Sequence, residues 1–78
     1  MNFASVNLNL LVVFDAIMGQ RNLTKAGQAL GLSQPAISHA LGQLRHMLGD
    51  PLFVRSQGEM RPTARARDLA GPLRSALE

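Results

Sequence analysis

Residues 22–39 read Asn22-Leu23-Thr24-Lys25-Ala26-Gly27-Gln28-Ala29-Leu30-Gly31-Leu32-Ser33-Gln34-Pro35-Ala36-Ile37-Ser38-His39. Asn22 is placed to cap a short helix, because its side chain can accept from an unpaired N–H of the first turn. That helix ends at Leu30, with Gly31 just beyond it as a residue free to turn left-handed. Ser33 is the next cap, and Pro35 sits in the first turn, where a missing N–H does no harm. Two helices crossing steeply need small residues where their backbones meet. Gly27, Gly31 and Ile37 meet that need, with Ala26, Leu30, Leu32 and Ala40 around them. A small residue, glycine four positions on and a β-branched residue six further is helix-turn-helix spacing. The second helix opens on small and amide side chains, which suit the major groove of duplex DNA.

Working back, Leu10, Val13, Phe14 and Ile17 fall at helical spacing and predict a helix from about Leu8 to Met18. Leu8, Leu11, Val12 and Met18 fill much of its remaining circumference. A helix apolar nearly all round must be covered on two sides, one by the domain's own core and one by a partner chain. Gly19-Gln20-Arg21 is its expected end, with glycine taking the left-handed closing position.

Working forward, Ile37, Ala40, Leu41, Leu44 and Leu48 make an apolar stripe, stopped by Gly49 and Asp50-Pro51. Leu52-Phe53-Val54-Arg55 has the character of a short strand, Ser56-Gln57-Gly58-Glu59 that of a turn, and Met60-Arg61 leads back. Pro62 limits the returning strand, since it cannot donate to a ladder. Thr63 caps a last helix, in which Ala66, Leu69, Ala70, Leu73 and Leu77 share one side. Pro72 conflicts with that helix, because it removes the bond to the Asp68 carbonyl, so a kink or supporting packing is expected.

Composition narrows the function classes. At 78 residues the chain makes one small domain, with room for a thin core and a binding surface but not a walled substrate pocket. An apolar fraction of 46% argues against disorder. There is no cysteine, hence no disulfide framework or thiolate metal site. The two histidines, His39 and His46, lie two helical turns apart, roughly 10 Å, too far to share one metal ion. No stretch approaches a membrane span, and no basic residues precede the first apolar segment as a secretory signal would require. The expected compartment is cytoplasmic. The net charge is +3, and its placement matters more than its size. No acid occurs between Asp15 and Asp50, whereas Arg21, Lys25 and Arg45 lie there. From Pro51 to Arg67 the only acid is Glu59, against four arginines. Such a distribution favours a polyanionic partner.

Serine, histidine and aspartate are present, but without a shared loop or glycine-rich elbow, so no enzyme is expected. Three phenylalanines, with no tyrosine or tryptophan, leave no stacking platform for single strands once Phe14 and Phe53 enter the core.

Leu8-Asn-Leu-Leu11, Asn22-Leu-Thr-Lys-Ala26, Leu32-Ser-Gln-Pro-Ala-Ile-Ser38, Gly49-Asp-Pro-Leu-Phe-Val-Arg55 and Pro62-Thr63 together resemble the N-terminal DNA-binding domain of LysR-type transcriptional regulators. The resemblance covers nearly the whole chain. It implies a mainly α fold: a winged helix-turn-helix of three helices plus a short β-hairpin wing (residues 1–62), followed by the start of a linker helix (residues 63–78). It also implies sequence-specific binding of double-stranded DNA by a homodimer paired through the linker helices, on an inverted repeat. A small-molecule effector would act only through a C-terminal domain lying beyond this chain. No cofactor is implied. Three positions depart from the family pattern. Gly27 stands where alanine is usual, which should loosen its helix by up to about 1 kcal/mol. His39 stands where arginine is frequent. Gly58 occupies a wing-tip position where many members carry a second arginine, so wing contact falls on Arg55 or Gln57, with Arg61 able to substitute if it points outward.

The resemblance and the residue chemistry together suggest the contacts. Ser33, Gln34, Pro35 and Ala36 open the recognition helix, and Ser38 and His39 lie one turn on. Gln34 can pair bidentately with adenine, Ser38 can bond several bases, and Pro35 and Ala36 can meet a thymine methyl. Thr24, Lys25, Arg45, Arg55, Gln57 and Thr63 are phosphate or wing candidates; Thr24 and Thr63 lie at helix N-termini, which favour anions. Leu8, Leu11, Val12, Ala66, Leu69, Ala70, Leu73 and Leu77 are the candidates for dimerisation.

Overall fold

Side-chain capping sets the two helices of the turn. The computed structural model describes residues 3–77, with side chains from residue 10 onward. Its elements are α1 (Phe3–Gln20), α2 (Leu23–Leu30), α3 (Gln34–Leu48), β1 (Phe53–Ser56), β2 (Glu59–Pro62) and α4 (Ala64–Leu77). Asn22 Oδ1 accepts from the Lys25 N–H at 2.8 Å, and Ser33 Oγ accepts from the Ala36 N–H at 3.2 Å. Gly31 and Gly49 close α2 and α3 in the left-handed conformation, at φ of 69° and 62°. Both caps and both stops fall where the local chemistry of the sequence places them.

Between α2 and α3 the backbones nearly touch. The Leu32 N–H donates to the Gly27 carbonyl at 2.8 Å. A β-carbon at Gly27 would stand 3.1 Å from the Leu32 carbonyl oxygen and 3.4 Å from Ile37 Cγ2. Glycine therefore weakens α2 intrinsically but spares the turn a contact that is tight rather than forbidden. A Gly27→Val substitution puts two further methyl groups into this contact, and is expected to lower stability by about 1–3 kcal/mol in urea unfolding. A variant as stable as the parent would show that the turn can open without cost.

Four helices and the hairpin share one core. Leu10, Val13, Phe14 and Ile17 of α1 are buried against Leu23 and Ala26 of α2, Ile37, Leu41 and Leu44 of α3, and Leu52, Phe53, Met60 and Ala66. The Phe14 and Phe53 rings lie 5.5 Å apart, tilted by 51°. α1 touches α2, α3 and α4, so it is the element around which the others assemble. It is longer than the periodicity suggested, beginning at Phe3. Its end also differs: Gly19 stays helical and Arg21 takes the positive φ, 53°. The Met60 N–H donates to the Arg21 carbonyl at 3.0 Å and the Arg21 side chain donates to Met18 O at 2.9 Å, which together hold this unfavourable conformation.

β1 and β2 pair antiparallel, from Phe53↔Pro62 to Ser56↔Glu59. Gln57 and Gly58 form the two-residue loop with φ of 51° and 79°, as the hairpin turn with two positive φ angles requires. Leu52 is not part of the strand, contrary to its apolar character. Its φ is 63°, and the Phe53 N–H donates to the Pro51 carbonyl at 2.6 Å, so it is the centre of a γ-turn of the strained positive-φ kind. The surroundings fix that turn. Asp50 Oδ1 accepts from the Leu52 N–H at 2.7 Å and from the Thr63 hydroxyl at 2.8 Å. Arg45 donates to the carbonyls of Pro51 and Phe53 at 2.8 and 2.7 Å. The Thr63 N–H donates to Leu52 O at 2.8 Å.

Thr63 also caps α4, its Oγ1 accepting from the Ala66 N–H at 3.1 Å. α4 continues through Pro72; Asp68 and Pro72 are both exposed, so water can reach the carbonyl that the proline leaves unpaired. Leu69, Ala70 and Leu73 pack against the core's edge and remain partly exposed. Ala66 is a correction to the dimerisation set: it is fully buried in the domain's own core and has no surface for a partner. Leu11 is half-buried, Val12 is 40% exposed and Leu77 is half-buried, while the side chain of Leu8 lies outside the described residues.

Candidate nucleic-acid interface

α3 presents a continuous polar edge because its buried residues recur at helical spacing. Ile37, Leu41 and Leu44 turn inward, whereas Ser33, Gln34, Pro35, Ala36, Ser38 and His39 are all exposed. The tip of α3 thus stands clear of the domain, and the hairpin does not cover it. Beside it, Ser38, Arg45 and Arg55 line a shallow groove of about 210 Å³ between α3 and the wing, floored by Leu23, Leu41 and Met60. The two arginines are on different elements, so the wing position decides whether they act together. On the other flank, Ala36 and His39 border a larger open groove with Leu10, Val12, Leu30 and Leu32. His39 is therefore turned toward α1 more than toward the wing. Leu32, expected among the turn's packing residues, is 36% exposed there.

The contact candidates divide by what already occupies them. Lys25 and Arg55 are exposed, and neither side chain has a protein partner among the described hydrogen bonds and ion pairs. Thr24 Oγ1 donates to Gln34 Oε1 at 3.1 Å, linking the two helix tips. Ser33 Oγ accepts from its cap N–H and keeps its own proton to donate. Arg45 spends two donors on the wing base and retains others toward the groove. Thr63 is less free than its place at a helix start suggests: its hydroxyl donates to Asp50 and its N–H to the Leu52 carbonyl, which leaves neither to donate to a phosphate. Gln57 Oε1 accepts from Arg61 Nη2 at 3.2 Å across the hairpin, and Arg61, which is exposed, also lies 4.0 Å from Glu59. Asp50 was not a sequence candidate, although it positions the whole wing; an aspartate two residues before a backbone N–H it can accept from is the one local signal for it.

Among the described residues no cluster of three or more His, Cys, Asp or Glu could hold a metal ion, and no helix is long and apolar enough to cross a membrane.

Residues 8–67 match the model of the bacterial regulatory helix-turn-helix proteins, lysR family. The chain belongs to that family. This LysR-family domain is 52% identical over 73 residues to the HTH-type transcriptional regulator LeuO of Escherichia coli K12, covering 94% of the chain and 23% of LeuO. It thus spans about a quarter of the length of the regulators it matches. In structure it is similar to the probable transcriptional regulator PA0477 of Pseudomonas aeruginosa, with a TM-score of 0.87 and 50% identity over 90% of this chain and 24% of that one. It also superimposes on the CbnR_DBD–DNA complex with a TM-score of 0.82 at 29% identity, covering 88% of this chain and 79% of that one. The LysR-family domain is a DNA-binding winged helix-turn-helix with the start of a linker helix, not a catalytic fold.

Proposed function

We propose that this domain reads a specific duplex sequence as a homodimer on an inverted-repeat operator. Each α3 enters a major groove, the two lying about one helical turn, or ~34 Å, apart. The observation that carries this reading is the uncovered tip of α3, with Gln34 and Ser38 exposed beside the groove that Arg45 and Arg55 line. Gln34, Ser33, Ser38 and His39 choose bases, with Pro35 and Ala36 against thymine methyls. Lys25, Arg45, Arg55 and the wing-tip Gln57 hold phosphates and set register, aided by the N-terminus of α2. The partly exposed Leu69, Ala70, Leu73 and Leu77 of α4, with Leu11 and Val12 of α1, support pairing with a second copy. In this reading residues 63–78 open the dimerising linker, and an effector acts through a C-terminal domain.

Selection of duplexes from random sequence, followed by footprinting, tests the reading. Wild type should enrich an inverted repeat. Gln34→Ala and Ser38→Ala should each lose about 1–3 kcal/mol of preference at a defined base pair while still binding non-specifically. Unchanged preference in both variants would overturn the assignment.

A further inference from the structure

We propose that Thr24 is a positioning residue for base reading, ordering the Gln34 side chain before DNA arrives. The proposal rests on the reading of Gln34 as a base contact. Thr24 is the second residue of α2 and Gln34 the first of α3, so the 3.1 Å bond from Thr24 Oγ1 to Gln34 Oε1 joins two helix tips across their turn. Both tips are rigid: each is capped by a side chain, and the Leu32–Gly27 backbone bond closes the turn between them. Thr24 is β-branched, which restricts its first torsion to two main rotamers in a helix. Glutamine is the opposite, a long side chain ending in an amide whose oxygen and nitrogen are alike in shape and opposite in hydrogen bonding.

Tying the Gln34 amide to α2 has two consequences. The oxygen keeps one lone pair, and Nε2 keeps both donors, so the amide still offers a donor beside an acceptor, the pattern complementary to the adenine N7 and N6 edge. Because the threonine hydroxyl could equally accept from Nε2, the bond fixes where the amide stands rather than which of its ends faces the DNA. The side chain is also ordered in advance. Immobilising a rotamer-rich side chain on binding otherwise costs a factor of about 2–12 in affinity. Thr24 then acts on choice between sequences rather than on general attraction to phosphate.

The experiment measures, for the full chain, the affinity ratio between the selected duplex and one altered at the base pair whose identity Gln34→Ala no longer distinguishes. Thr24→Val and Thr24→Ala should each lower that ratio about threefold or more. Thr24→Ser, which restores the hydroxyl, should recover it. Thr24→Val combined with Gln34→Ala should discriminate no worse than Gln34→Ala alone. If Thr24→Val and Thr24→Ala weaken both duplexes equally, Thr24 is a phosphate contact and the proposal is wrong. A double variant that loses the two effects independently overturns it as well. Wild type selecting no sequence would remove the base-reading assignment itself. A normal wild type and Gln34→Ala, with an undiminished ratio in both Thr24 variants, would remove only the pinning.

Discussion

Phe53→Ala is expected to cost about 3–5 kcal/mol of stability, the range for emptying a fully buried aromatic site. Phe53 is completely buried, and its ring packs on Phe14 at 5.5 Å. It joins the wing to the helical core, so the cavity would open where β1 meets α1. A domain of this size has only about 4–12 kcal/mol to lose. The variant should thus be substantially unfolded near 37 °C, and its loss of DNA binding there should be recovered on cooling. Phe53→Leu keeps most of the volume and should cost less than the alanine change. Urea titration followed by far-UV circular dichroism measures both. Equal stability of Phe53→Ala and the parent would mean that the hairpin is not anchored by this ring.

The parts of the fold that were legible in the sequence are those decided by neighbours along the chain. Asn22 and Ser33 cap, and Gly31 and Gly49 stop, because each conformation is set within a few residues. The apolar stripe of α3 was equally plain, since one helix face is buried throughout. Distant contacts account for the differences. Arg21 rather than Gly19 turns left-handed because Met60, far along the chain, bonds its carbonyl. Leu52 has the composition of a strand residue, yet Asp50, Arg45 and Thr63 together hold it in a γ-turn. The same division runs through the candidate site. That α3 shows a polar, acid-free edge could be read from spacing. That the Thr63 hydroxyl is consumed internally, and that Arg45 spends two donors on the wing base, could not, because their acceptors come from elements that only folding brings together.

Asp50→Ala is expected to cost about 2–4 kcal/mol, because one carboxylate oxygen serves two elements and hydrogen bonds to charged groups are the stronger kind. That oxygen accepts from the Leu52 N–H and from the Thr63 hydroxyl. Leu52 is fully buried, so its N–H would be left without its carboxylate partner, in a turn whose φ of 63° already carries strain. The Thr63 hydroxyl would lose the acceptor that orients it as the cap of α4. Asp50→Asn keeps an acceptor oxygen at the same position and should restore most of the loss. The effect should extend to binding, since the turn aims the wing and the wing carries Arg55 toward the groove shared with Arg45 and Ser38. Under conditions where Asp50→Ala remains folded, its affinity should fall for all duplexes alike, and the salt dependence should lose about one phosphate contact. A selective loss at one base pair would instead implicate α3. An asparagine variant no more stable than the alanine one would mean that the charge of Asp50, rather than its two accepted hydrogen bonds, holds the wing in place.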